Sequence, residues 1–183
     1  QLFDAYCAMV HFYCEHDWSE PFPDLLPPSQ RAARREANSQ RADLGGGTLH
    51  RRFFALAQAD PGAPALRWGG DGEATYGELA ERSLRIAGGL AAAGVGEGDR
   101  VAIRLPKGPG QVAAVLGVLA AGAAYVPIGV SQPEARAALI LEQAGACACI
   151  DSPELSRLEA ADPLAAPADP PDRALAYVIY TSG

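Results

Sequence analysis

The sequence predicts an α/β protein with a largely parallel β-sheet covered by helices. From residue 48 onward, short apolar runs with strand character alternate with longer segments of helical periodicity. Runs such as VAIRL and AYVIY are nearly continuously apolar, which is typical of strands buried on both faces of a sheet. With 49% hydrophobic and 20% charged residues among 183, the chain can also form a sizeable core.

Composition divides the chain into three parts. Residues 1–20 have the pattern of one amphipathic helix, whose apolar face is too large for a helix alone in water, so we expect it to belong to a preceding domain. Residues 21–47 contain four prolines and end on three glycines, which predicts a linker. The RAARRE run inside it is expected to form a solvated helical face, with a binding patch as the alternative. Residues 48–183 form the α/β part.

Each element of the α/β part has its own signal. Thr48 is expected to N-cap a helix over LHRRFFALAQA, and ALRW and EATY follow as short strands. Thr75 and Glu78 have the spacing of a capping box, which predicts a helix to about Ala93. Next come a turn at GVGEGD, a strand at RVAIRL, a helix over 110–121 and a strand at AAYVPI. A helix capped by Ser131, with Pro133 in its first turn, is then predicted to end near Ala144. The last elements are a strand at CACI, a short helix capped by Ser152, a loop at LAAPADPPDR and a strand at LAYVIY.

Charge and hydropathy exclude several function classes. Fifteen Lys and Arg against 22 Asp and Glu give a net charge of −7, which argues against a nucleic-acid-binding surface. A nucleotide remains compatible, because it needs only a local group of N–H donors. No segment resembles a signal peptide or a membrane span, so we expect a cytoplasmic protein without membrane partners and with reduced cysteines.

The four cysteines suggest little chemistry. Cys7, His11 and Cys14 would share one helical face, which allows a metal site, but the same spacing gives an apolar stripe with Phe3 and Val10, and zinc ligands usually have tighter paired spacings. Cys147 and Cys149 alternate as in a strand and are expected to be small buried hydrophobes. We therefore assign no metal ligands and no catalytic residue.

A ligand is expected at the carboxyl ends of the parallel strands, as in other open α/β sheets. Three loops leave such ends: 106–109, 129–131 and 181–183. The last is the best phosphate site, because the Thr181 and Ser182 hydroxyls can donate to phosphate oxygens and Gly183 lets a backbone N–H approach closely. Lys107 is expected to be an exposed turn residue, with a catalytic role as the alternative. GVGEGD precedes a strand, which argues against a dinucleotide-binding fingerprint and a dehydrogenase.

Three ordered segments resemble core motifs of the adenylation domain of nonribosomal peptide synthetases, within the adenylate-forming enzymes. TYGELAER (75–82) is similar to the first motif, VLGVLAAGAAYVPI (115–128) to the second, and LAYVIYTSG (175–183) to the opening of the third, the phosphate-binding loop. The second motif departs where Gly129 replaces the usual acid, and Gln132 departs from the following pattern. Upstream, LFDAYCAMV and PFPDLLPPSQR resemble the end of a condensation or heterocyclisation domain and its linker.

The resemblance implies the N-terminal, incomplete portion of an adenylation domain in a multidomain enzyme. Such an enzyme activates an amino acid with Mg-ATP as the aminoacyl-adenylate and loads it onto the phosphopantetheine thiol of a carrier protein. Thr181, Ser182 and Gly183 would begin the ATP phosphate loop, and the chain alone would be inactive. The leader suggests cysteine, serine or threonine as substrate. An acyl- or aryl-CoA ligase and a non-catalytic docking fragment are the alternatives.

Overall fold

The computed structural model describes residues 2–16, 19, 21, 26–39 and 46–181. The chain divides into two compact units, residues 1–45 and 46–183, and each is described on its own. The helices and strands are α1 (Leu2–Glu15), α2 (Pro28–Ser39), α3 (Arg51–Ala59), β1 (Pro64–Trp68), β2 (Gly72–Thr75), α4 (Tyr76–Ala92), β3 (Arg100–Ile103), α5 (Pro109–Ala120), β4 (Ala124–Pro127), α6 (Glu134–Ala144), β5 (Ala148–Ile150) and α7 (Ser152–Glu159).

The described part of the first unit is helical. The helix predicted over residues 1–20 covers Leu2–Glu15, and its apolar stripe is exposed, with Phe3 73% accessible. The RAARRE run lies in α2, where no residue is buried, as expected for a solvated face. The domain boundaries after residues 20 and 47 stay predictions.

The second unit contains a three-stranded parallel sheet in the order β4-β3-β5, which confirms the predicted parallel architecture. Val101 of β3 lies opposite Tyr125 of β4 on one side and Ala148 of β5 on the other. β1 and β2 form a separate antiparallel pair.

The segment 175–180 runs parallel to β4 at the edge of this sheet. The Tyr125 N–H donates to the Ala176 carbonyl, and the Val178 N–H donates to the Tyr125 carbonyl, both at 3.0 Å. In a parallel pair this pattern directs the backbone N–H and C=O of Tyr177 away from β4. Leu175, Tyr177 and Ile179 are 64, 48 and 56% exposed, so one side of the segment is open. The prediction that this strand is covered on both faces is wrong for that side, where these three side chains stay exposed.

Helices cover the two faces of the sheet through alternate residues of β3. Val101 and Ile103 pack into a core formed with α3, α4, α5 and α7. Ala102 packs on the opposite face with Val126 and with the inner side of α6. The period of two along β3 therefore places successive residues in two separate clusters of apolar side chains.

Close packing between α4 and α5 depends on Gly117. A Cβ added at this position would lie 2.6 Å from Cγ2 of Ile86 and 3.0 Å from the Ser83 carbonyl oxygen. Ile86 and Ser83 are both fully buried on α4. The glycine therefore allows a helix-on-helix contact that any side chain would obstruct.

One of two predicted caps in the first half of the unit is confirmed. Thr75 and Glu78 form the capping box of α4: the Glu78 N–H donates to Thr75 Oγ1 at 3.3 Å, and the Thr75 N–H donates to Glu78 Oε2 at 2.9 Å. The Thr48 cap is wrong, because α3 begins after His50, whose side chain makes no capping bond. The buried Thr48 Oγ1 has no partner in the described structure.

Both caps predicted in the second half are wrong. The N-cap of α6 is Pro133, whose side chain makes no capping bond. Ser131 lies earlier in the chain, inside a turn in which the Gln132 N–H donates to the Gly129 carbonyl, and it does not cap the helix. The N-cap of α7 is Asp151, whose Oδ1 accepts from the Glu154 N–H at 2.9 Å. Ser152 is instead the first helical residue.

Candidate functional site

The carboxyl edge of the sheet brings together the loops predicted to bind a ligand. β3 ends at Ile103, β4 at Pro127 and β5 at Ile150, all on the same edge because the strands are parallel. The segment 175–180 runs in the same direction beside β4, so Thr181 also lies at this edge. Ser182 and Gly183 lie outside the described residues.

Thr181 is exposed, so its hydroxyl is not used in the core. The connection from β4 passes through α6 to β5, on the far side of β3. It therefore leads away from the segment 175–180. Open α/β sheets bind ligands in the crevice where neighbouring strands send their connections in different directions. Such a crevice can therefore form between the end of β4 and the end of the segment 175–180.

An ion pair that sequence reasoning missed fixes part of this edge. Two guanidinium nitrogens of Arg104 donate to the two carboxylate oxygens of Glu134 at 2.9 and 2.6 Å. The hydrogen bond to Arg104 lowers the pKa of Glu134, and the same bond raises the pKa of Arg104. The Arg104 N–H also donates to the Ile150 carbonyl at 2.9 Å. Together these bonds connect the ends of β3 and β5 to the start of α6.

The available signal for this pair was a charged residue inside an apolar run. RVAIRL was predicted as one strand, which placed Arg104 inside it, whereas β3 ends at Ile103 and Arg104 lies just beyond the strand. Glu134 was predicted as part of a cap. Its side chain instead accepts hydrogen bonds from Arg104, which lies 30 residues earlier in the sequence.

The loop after β3 leads into the start of α5. Lys107 is exposed, as expected for a turn lysine. Gly108 has φ of 157° and precedes Pro109, the first residue of α5, and the helix start has no side-chain cap. Residues with a side chain rarely adopt this positive φ, so the position favours glycine.

The cysteines do not form a site in the described part of the chain. No group of three or more His, Cys, Asp or Glu there could hold a metal ion. His11, one of the metal candidates, lies 3.8 Å from the Glu15 carboxylate instead. Cys147 is exposed rather than buried, and Cys149 is half-buried, with burial raising the pKa of its thiol.

No helix among the described residues is both long enough and apolar enough to cross a membrane.

Comparisons with known proteins agree with the predicted resemblance. The AMP-binding enzyme family model matches residues 53–183. Pyochelin synthetase PchE of Pseudomonas aeruginosa is 48% identical over 192 residues, which cover 100% of this chain and 13% of that protein. Phenyloxazoline synthase MbtB of Mycobacterium tuberculosis is 42% identical over 181 residues, which cover 91% of this chain and 13% of that protein.

The fold comparison gives the same result. The crystal structure of the nonribosomal peptide synthetase FmoA3 superposes with a TM-score of 0.67 at 34% identity, covering 98% of this chain and 22% of that chain. This confirms the predicted α/β fold of an adenylate-forming enzyme. The chain spans 13% of the length of the two curated relatives named above. The family match over most of the residues, the parallel sheet and the shared fold lead to one conclusion: the chain belongs to the AMP-binding enzyme family.

Proposed function

We propose that this chain is part of a nonribosomal peptide synthetase module that activates an amino acid with ATP as the aminoacyl-adenylate. The observation that carries this proposal is the position of Thr181 at the carboxyl edge, at the end of a segment parallel to β4. This is the edge at which α/β sheets bind nucleotides.

Thr181, Ser182 and Gly183 begin the loop that holds the ATP phosphates in this proposal. The exposed Thr181 hydroxyl is a donor that fits a phosphate oxygen. The substrate carboxylate attacks the α-phosphate of ATP and releases pyrophosphate. Donors placed in advance around the phosphates stabilise the negative charge that develops on their oxygens.

Mg²⁺ accompanies ATP in this chemistry, and it supplies charge neutralisation of the phosphates. The described residues include no cluster of acidic or imidazole side chains suited to a metal ion. We therefore assign no residue of the described chain to Mg²⁺.

The proposed partners follow from the peptide-synthetase relatives. Relatives of this kind that align over the whole chain, including residues 1–47, favour a peptide synthetase over an acyl- or aryl-CoA ligase. The activated amino acid would then pass to the phosphopantetheine thiol of a carrier-protein domain, and a condensation or cyclisation domain would adjoin residues 1–20. Because the reaction consumes ATP, the proposal includes a cytoplasmic location. The resemblance of the leader to heterocyclisation domains points to cysteine, serine or threonine as the amino acid.

The test is ATP–pyrophosphate exchange by the full-length parent protein with each of these three amino acids. Thr181→Ala removes one donor to a charged oxygen, a loss of about 1.5–3 kcal/mol, which lowers kcat/KM about 10- to 150-fold. Ser156→Ala, an exposed hydroxyl on α7, is the matched control and keeps full activity. Equal activity of the Thr181 variant and the control would remove Thr181 from the phosphate loop.

The 183-residue chain alone is expected to give no exchange above background. It spans only 13% of the length of the relative pyochelin synthetase PchE. Measurable exchange by the isolated chain would overturn this expectation.

A further inference from the structure

A buried histidine joins two parts of the second unit that are far apart in sequence. His50 is 3% exposed, and its Nε2 lies 2.8 Å from the Ala168 carbonyl oxygen, 118 residues away. Because a carbonyl oxygen only accepts, Nε2 carries the hydrogen and donates it. The imidazole therefore holds the loop 161–174 against the start of α3.

The neighbouring residue strengthens this contact. Nη2 of Arg51 donates to both carboxylate oxygens of Asp169, at 2.7 and 2.6 Å, and Nε donates to one of them at 3.2 Å. This pair is exposed, so we expect it to contribute little on its own. The residues His50, Arg51, Ala168 and Asp169 are called the His50 clip below.

The clip acts on a loop that is also tied to the helices of the core. The Ala168 N–H donates to the Ala120 carbonyl at the end of α5 at 2.7 Å, and the Leu164 N–H donates to the Leu84 carbonyl of α4 at 3.0 Å. The loop then turns, with the Ala174 N–H donating to the Pro171 carbonyl at 2.8 Å, and continues directly into the segment 175–181. Ala168 is thus bonded both to His50 and to the end of α5, within the loop that leads into this segment.

We propose that His50 is a positioning residue for the phosphate-binding segment. Its hydrogen bond to Ala168 fixes the loop 161–174 and, through this loop, the register of the segment 175–181 beside β4. The proposal rests on the proposed function only for the consequence at Thr181. The positioning itself is a property of this chain, so it can be measured without ATP.

One nitrogen of the buried ring makes no hydrogen bond. Nδ1 of His50 is buried and has no partner among the described residues. The charged groups lining the same cavity are Arg51 and Asp169, and the Asp169 carboxylate is already bound by Arg51. The bond from Nε2 to the Ala168 carbonyl is therefore the contact through which the ring acts on the loop.

Amide hydrogen exchange followed by mass spectrometry on the 183-residue chain tests this, with peptides covering 162–181 and a reference peptide from α4. His50→Ala removes the donor and leaves a cavity, so the loop peptides exchange about tenfold faster at pH 7.5. His50→Gln keeps an N–H donor that does not titrate, and it restores protection to within about twofold of the wild type.

Rescue by the amide separates the hydrogen bond to Ala168 from general packing, because His50→Gln keeps the donor while His50→Ala loses it. His11→Gln, an exposed histidine of the first unit, is the matched control and behaves like the wild type.

Two results would overturn the proposal: loop exchange in His50→Ala within about twofold of the wild type, or loop exchange in His50→Gln as fast as in His50→Ala. If His50→Ala unfolds, the α4 reference peptide exchanges too, and the His50→Gln comparison then decides. Failure here would leave the ATP-dependent test of Thr181 untouched, because no nucleotide is present in this experiment.

Discussion

Replacing Gly117 with alanine sets a helix-propensity gain against a steric cost. Ordinary contacts between carbon atoms are about 3.5–4.0 Å, so a Cβ 2.6 Å from Ile86 Cγ2 is about 1 Å too close. Ile86 is fully buried and cannot turn outward, and Val118, next to Gly117 on α5, is fully buried too. The whole helix would have to move away from α4.

The expected cost of that movement exceeds the gain. Overpacking in a core costs about 1–3 kcal/mol, and Ala in place of Gly in a helix returns up to about 1 kcal/mol. We therefore expect Gly117→Ala to lower the free energy of unfolding by about 1–2 kcal/mol.

Urea unfolding followed by circular dichroism measures this change, with Gly69→Ala as the control. Gly69 lies in a turn, has no neighbour within 4 Å of an added Cβ and is not in the left-handed region, so its variant stays within about 0.5 kcal/mol of the wild type. A Gly117→Ala protein as stable as the wild type, or more stable, would refute the close helix contact.

Two further predictions concern caps and acid. Asp151→Ala removes the α7 cap and lowers stability by about 1 kcal/mol, whereas Ser152→Ala is nearly neutral; urea midpoints of the two variants check this, and equal losses would contradict the assigned cap. Folding lowers the pKa of Glu134 and Glu154 below the ordinary value of 4.5 through hydrogen bonds from arginines, so their stabilisation is present above about pH 4.5 and is lost as the pH falls through the folded pKa. The urea concentration at the midpoint of unfolding should therefore decrease as the pH is lowered from 5 to 3, and it should decrease less in Glu134→Gln. A midpoint that does not depend on pH would show that these pairs do not stabilise the fold.

The fold was predictable because hydrophobic period and motif order act locally. The apolar strands and the Thr75–Glu78 spacing each determine structure within a few residues. The failed caps show the limit of such signals: Ser131 and Ser152 have suitable side chains, but a neighbouring turn and a better-placed carboxylate determine where each helix starts.

The contacts that hold the candidate site were not predictable from local patterns. Arg104 and Glu134 are 30 residues apart, and His50 and Ala168 are 118 apart. No periodicity relates such positions, because the sheet order and the path of the loops bring them together. Thr181 was predictable as a candidate because it follows a strand-like run, while its phosphate contact stays a prediction.

The open side of the segment 175–180 also matters for work with the purified chain. The outward N–H and C=O of Tyr177 and the exposed side chains of Leu175 and Ile179 form an unprotected β-edge without a charge or proline between them. Natural sheets usually shield such edges, because two exposed edges can join and seed aggregation. We therefore expect the isolated polypeptide to aggregate as its concentration rises. Aggregation is expected to start at this exposed edge rather than in the well-packed interior.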